Sequence, residues 1–180
     1  MKIKAIFLAA MLLPGTVLAD DQQAPNPVTE DGAVKITWQS PDKYTDIKSS
    51  GELQSRYEQR AFESMTKQLN KLADKVLTNG EKLELTVTNV DLAGDVRPTF
   101  GATANDIRVL KDIYPPRIDF SYRVMKGHEV LLSGDENLKD MNYLGGIQPL
   151  RQESFMYENQ MLKQWFNRTL APQLEGHPPK

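Results

Sequence analysis

The chain has 180 residues, with 22 lysines and arginines against 24 aspartates and glutamates, two histidines and no cysteine. Without cysteine there are no disulfides, thiolate metal sites or cysteine nucleophiles, and a formal net charge of −2 leaves non-specific nucleic-acid binding without an electrostatic basis. The length suits one domain burying about 70% of the surface its unfolded chain would expose.

Lys2 and Lys4 precede an apolar run from Ala5 to Leu13, followed by Pro14-Gly15 and the small-residue stretch ending at Ala19. This is the pattern of a secretory signal peptide, residues 1–19, cleaved after Ala19. Its apolar core is about nine residues where a bilayer span needs about twenty. No other segment approaches transmembrane length, and no cysteine follows the run to carry a lipid. The expected product is soluble and exported, periplasmic or secreted. Residues 20–32, polar and turn-forming with Pro25 and Pro27, read as a flexible leader.

From there the alternation of Val34, Ile36 and Trp38 with Lys35 and Thr37 predicts a strand ending at Ser40-Pro41-Asp42. Ser49 and Glu52 form a capping-box pattern. The helix it opens runs to about Leu77, with Leu53, Tyr57, Ala61, Met65, Leu69, Leu72 and Val76 on one stripe. Asn79-Gly80 stops it. Leu83, Leu85 and Val87 then alternate with Glu84, Thr86 and Thr88 in a central strand whose phase slips after Asn89, the mark of a bulge or of a strand end re-aiming its side chains. Gly94 offers a backbone free to take positive φ.

Residues 96–112 read as a long loop with a helical turn at Asn105 to Leu110. The stiff Tyr114-Pro115-Pro116-Arg117 leads into Ile118, Phe120, Tyr122 and Val124. A turn at Lys126-Gly127 returns the chain through Val130 to Leu132 as a hairpin, with Gly134 to Asp140 extending the second strand. A helix from about Arg151 to Leu170 ends at Pro172, before a disordered tail over 172–180. The expected fold is a single α+β domain over residues 33–171 in element order β-α-β-β-β-α. Two layers are expected, a mixed four-stranded sheet and two helices on one face, with the first two strands parallel.

The chemistry-bearing residues are few. No Gly-x-Ser-x-Gly elbow and no phosphate-cradling glycine loop is present, and the histidines are His128 beside a turn and His177 in the tail. Asp91 and Asp95 around Gly94 could ligate a hard cation, but Asp and Gly at a strand end more often simply make a turn. Asp135, Glu136, Asn137 and Asp140 lack calcium-loop spacing. Met125 with His128 is two ligands on a turn, short of a copper site. Lys67, Lys71 and Lys75 complement the dipole at the end of the first helix. Asn167-Arg168-Thr169 matches a glycosylation sequon inside a helix. Tyr114 to Arg117, beside the Gly94 turn, can wall a groove, but two prolines more often simply fix the entry to an edge strand. If the ends of the first two parallel strands lie side by side, the candidate binding surface is Asp42, Tyr44, Asp46, Asp91, Asp95, Tyr114 and Arg117.

Trp38 to Ile47, Val90 to Asp95, Ile113 to Ile118, Leu138 to Tyr143, Pro149-Leu150-Arg151 and Trp165-Phe166 together resemble an uncharacterised family of exported bacterial proteins, domain of unknown function 3016. The resemblance spans nearly all of the chain after the signal peptide and implies bacterial origin and export. It brings no activity, cofactor or catalytic residue. The expectation is an exported binding or protein-interaction module of the cell envelope, with a small ligand or an envelope protein as partner. No catalytic residue, metal or cofactor is assigned. The alternatives are a carboxylate-based hydrolase of an envelope polymer and a structural or stress-protective protein without a specific ligand.

Overall fold

Strand β2 (Val34–Trp38) buries Val34, Ile36 and Trp38 and leaves Lys35 exposed, as the alternation requires. In the computed structural model, which describes residues 25–78, 80–99, 106–145 and 153–175, β2 runs parallel to β3 (Glu81–Asp91). The expected signal peptide, the start of the leader, the Pro149 to Arg151 stretch and His177 lie outside the described residues. Strand β3 pairs antiparallel with β6 (Arg117–Lys126), and β6 with β7 (Glu129–Lys139). The β3–β6 register shifts between Val87 and Asn89, a bulge at the expected phase slip. Past it Val90 is buried like Val87. The extra residue swings the strand end back toward the core.

The sheet has five strands rather than the four expected, in the order β1-β2-β3-β6-β7. The fifth, β1 (Val28–Asp31), comes from the stretch read as leader. Four residues with two prolines just ahead carry no readable period. Cross-chain bonds make the strand instead: Thr29 Oγ1 shares a hydrogen bond with Thr66 Oγ1 at 2.6 Å and accepts one from Trp38 Nε1 at 2.9 Å. Strands β4 (Asp95–Arg97) and β5 (Ile107–Val109) form a separate antiparallel pair, so a strand stands where a helical turn was expected.

Helix α1 (Gln54–Ala73) buries Ala61, Phe62, Met65, Leu69, Leu72 and Ala73. Its Phe62 stacks on Trp38 at 4.0 Å between ring centroids. Ser49 Oγ does accept the Glu52 N–H at 3.0 Å, but in a turn ahead of the helix, whose N-cap is Leu53. Helix α2 (Met156–Trp165) starts later than the pattern suggested. Its Trp165 meets Phe120 and Tyr122 of β6 edge-on at 4.9 and 5.3 Å. A π turn over Phe166–Leu170 then carries the chain into α3 (Ala171–Glu175), so the helical path passes Pro172. Proline clashes with the carbonyl four residues back in a regular helix, and the wider turn just before it makes room.

Candidate functional site

The parallel pairing of β2 and β3 fixes where their following segments can go. After β2 a single 3₁₀ turn, Pro41–Lys43, brings the chain back alongside β3, where Asp46 and Asp91 form a parallel bridge. Asp46 N–H donates to Val90 O at 3.1 Å and Leu92 N–H to Asp46 O at 2.9 Å. Gly94 then turns at φ +89, its N–H bonded to Tyr114 O at 3.0 Å. A Cβ there would lie 2.8 Å from Val109 O. Only glycine fits both the dihedral and the close approach of β5.

These turns enclose an open cleft of about 300 Å³. Five of the seven residues singled out in the sequence line it: Asp46, Asp91, Asp95, Tyr114 and Arg117. The other two do not. Asp42 is exposed on the 3₁₀ turn, and Tyr44 is buried with its hydroxyl donating to Val87 O at 3.0 Å. Burial pushes the Tyr44 phenol well above its ordinary range. Lys48 and the exposed Ile113 also line the cleft.

Each carboxylate of the Asp91 to Asp95 turn faces an arginine. Arg117 Nε lies 3.8 Å from Asp91 Oδ2 and Arg97 Nε 2.9 Å from Asp95 Oδ2. Arg97 also bonds the Tyr114 hydroxyl and lies 5.7 Å from that ring's centroid. Partial burial raises the Asp91 carboxyl above its ordinary value, and Arg117 opposes the rise while Asp46 adds to it. Among the described residues no three His, Cys, Asp or Glu side chains are grouped to hold a metal ion. The cleft presents both signs of charge, acids from β3, β4 and the returning loop and bases from Lys48 and Arg117, together with Tyr114. Such a surface can accept and donate hydrogen bonds to one polar ligand at several points.

Beside the cleft, Asp46 belongs to a partly buried polar cluster whose other members, Arg108 and Glu158, sequence reasoning missed. Arg108 on β5 donates from Nη1 to Asp46 Oδ2 at 2.8 Å and to Ala93 O at 3.3 Å, and from Nη2 to Lys48 O at 2.7 Å. Its Nε is buried without a hydrogen-bond partner among the described residues. Glu158 of α2 is 2% exposed and accepts the Ala93 N–H at 2.7 Å. Burial raises its carboxyl above the ordinary 4.5, against the Ala93 N–H and the Arg108 charge, which both lower it. A smaller cavity of about 210 Å³ opens between Tyr57, Arg108, Phe155 and Glu158. The only signal in the sequence was a pair of charged residues, one in an aperiodic loop and one inside an amphipathic helix.

Fold and cleft together define a small α+β domain with a mixed-charge cleft at the carboxyl ends of two parallel strands. The chain belongs to the family described as "Protein of unknown function (DUF3016)", whose model matches residues 32–168. No curated protein and no solved structure matches the chain.

Proposed function

We propose that this chain is an exported binding module of the cell envelope whose ligand, a small polar molecule or a segment of an envelope protein, contacts Asp46, Asp91, Asp95, Tyr114 and Arg117. One observation carries the reading: residues separated by up to about seventy positions in the chain converge on a single open cleft, where loops leave the carboxyl ends of parallel strands, the usual place for ligands in such sheets. Export rests on the signal-peptide pattern of residues 1–19. No helix among the described residues is long and apolar enough to cross a membrane. Two layers, with α1 and α2 both over the sheet side that carries Trp38 and Phe120, would leave the cleft open at the sheet's end.

Thermal unfolding of the chain from Asp20 onward, with and without a panel of envelope glycans, peptidoglycan fragments and divalent cations, tests the proposal. A ligand at 100 times its dissociation constant adds about 2.7 kcal/mol, a shift of several degrees for a domain of this size. The expected result is a shift that Asp91→Ala and Arg117→Ala abolish while the ligand-free melting temperature hardly moves. A shift that survives both substitutions places the ligand elsewhere and sinks this cleft.

A further inference from the structure

A second surface lies away from the cleft, at the free edge of the sheet. Strand β1 pairs only with β2, at the end of the strand order, with Asp31 opposite Val34 across the two-residue turn Gly32-Ala33. Trp38 N–H donates to Pro27 O at 2.9 Å. In an antiparallel ladder hydrogen-bonded and non-bonded pairs alternate. Pro27, Thr29 and Asp31 therefore direct their backbone polar groups to β2, and Val28 and Glu30 direct theirs outward. No described residue takes up that outer edge.

Between this edge and α1 runs a groove of about 680 Å³. Its floor is Thr29, Phe62 and Thr66, and its walls carry Asp31, Glu58 and Glu63. Those three acids have no lysine or arginine within ion-pair distance among the described residues, whereas Glu30 is paired with Lys35 at 2.8 Å. Lys67 is the one cation among the described residues that line the groove.

We propose that the groove receives an extended peptide with basic side chains at alternate positions, which adds to β1 as a sixth strand. Main-chain bonds to Val28 and Glu30 hold it, and every second side chain enters the groove, where it meets Asp31, Glu58 and Glu63. The charge selects among occupants. A second copy of this chain, edge to edge, would set like acids against each other. The residues ahead of β1, Asp20-Asp21-Gln22-Gln23, bring more acid, and the carboxyl-terminal Pro178-Pro179 lack the N–H groups a strand needs. A basic partner strand meets neither obstacle.

Fluorescence anisotropy with a labelled six-residue peptide alternating lysine and valine, against its glutamate counterpart, tests the proposal on the chain from Asp20 onward. The lysine peptide is expected to bind saturably and the glutamate peptide not at all. Val28→Pro removes an outward N–H without touching the ladder to β2 and is expected to weaken binding about tenfold, as is Glu58→Lys with Glu63→Lys. Amide exchange at Val28 and Glu30 is expected to slow on binding, a readout on the unmodified chain that stands even if a variant fails to fold. Equal binding of both peptides, undiminished binding by the folded Val28→Pro variant, unchanged exchange at the two amides, or no binding of the lysine peptide up to about 1 mM each overturns the proposal. A chain that sediments as a dimer, with exchange at Val28 and Glu30 already slow, overturns it in favour of self-pairing.

Discussion

Two arginine–aspartate pairs stand on either side of the Asp46–Asp91 bridge. Arg108 holds Asp46 at 2.8 Å with both side chains 16% exposed, while Arg117 lies 3.8 Å from Asp91 with the side chains 47% and 21% exposed. The first pair is tied further to Ala93 O and Lys48 O, so one guanidinium fastens β5, the turn after β3 and the loop after β2 together. The second has a long contact and water on one side. Identical chemistry therefore does two jobs, and burial decides which. In a dry site a lost partner strands a charge, whereas at an exposed one water replaces it. The more buried pair braces the cleft, and the more exposed pair is the one that the proposed ligand would have to compete with.

The sharpest way to break this contrast is Arg108→Ala. Removing one member of a partly buried pair whose guanidinium makes three hydrogen bonds leaves Asp46 without its partner and is expected to cost about 1.5–3 kcal/mol, read as a lower urea midpoint with an unchanged slope. A loss below about 1 kcal/mol, the scale of an exposed pair, would erase the distinction.

Glu158→Gln probes the same brace through pH. The Glu158 carboxyl is raised in the folded chain above its ordinary 4.5, so the folded state holds a proton that the unfolded state has already released. The stability linked to that proton is complete below about pH 4.5, declines as pH rises through the folded value, and is gone above it. Glutamine keeps an acceptor for the Ala93 N–H and has no proton to lose. The variant's stability relative to the parent is expected to grow with pH across that window and then level off, and parallel stability curves would mean that Glu158 is not strained by burial.

The smallest effect is expected from Arg117→Ala. Its pair is half-exposed and long, so the loss should stay below about 1 kcal/mol and shrink further in salt. A loss comparable with that of Arg108→Ala would make Arg117 part of the frame and remove it from the binding surface.

Much of the sheet was legible in the residues themselves. Alternation marked β2, β3 and β6, and the slip after Asn89 announced the bulge because a period of two cannot absorb an extra residue unnoticed. The strip of apolar residues at three- and four-residue spacing marked α1. The turn at Gly94 and the stiff approach at Pro115-Pro116 were readable because glycine and proline act on the backbone locally, whereas their place side by side rested on an assumption about where two strand ends lie. Tyr44 was misjudged as a surface residue. A tyrosine between Lys43 and Thr45 gives no sign that its ring will be buried and its hydroxyl bonded to Val87 O.

Local pattern thus determined that β2, β3, β6 and β7 are strands and α1 a helix, where β3 kinks and which turn needs glycine, since all of these are set by residues within a few positions of one another. Tertiary structure alone decided that Val28–Asp31 is a strand, that Ile107–Val109 pairs with Asp95–Arg97, and that Arg108, Asp46 and Glu158 share one partly buried cluster. Short segments have too few residues to carry a period, and a charged side chain goes inside only when partners distant in the chain offset its lost hydration. Those partners exist only once the sheet has formed.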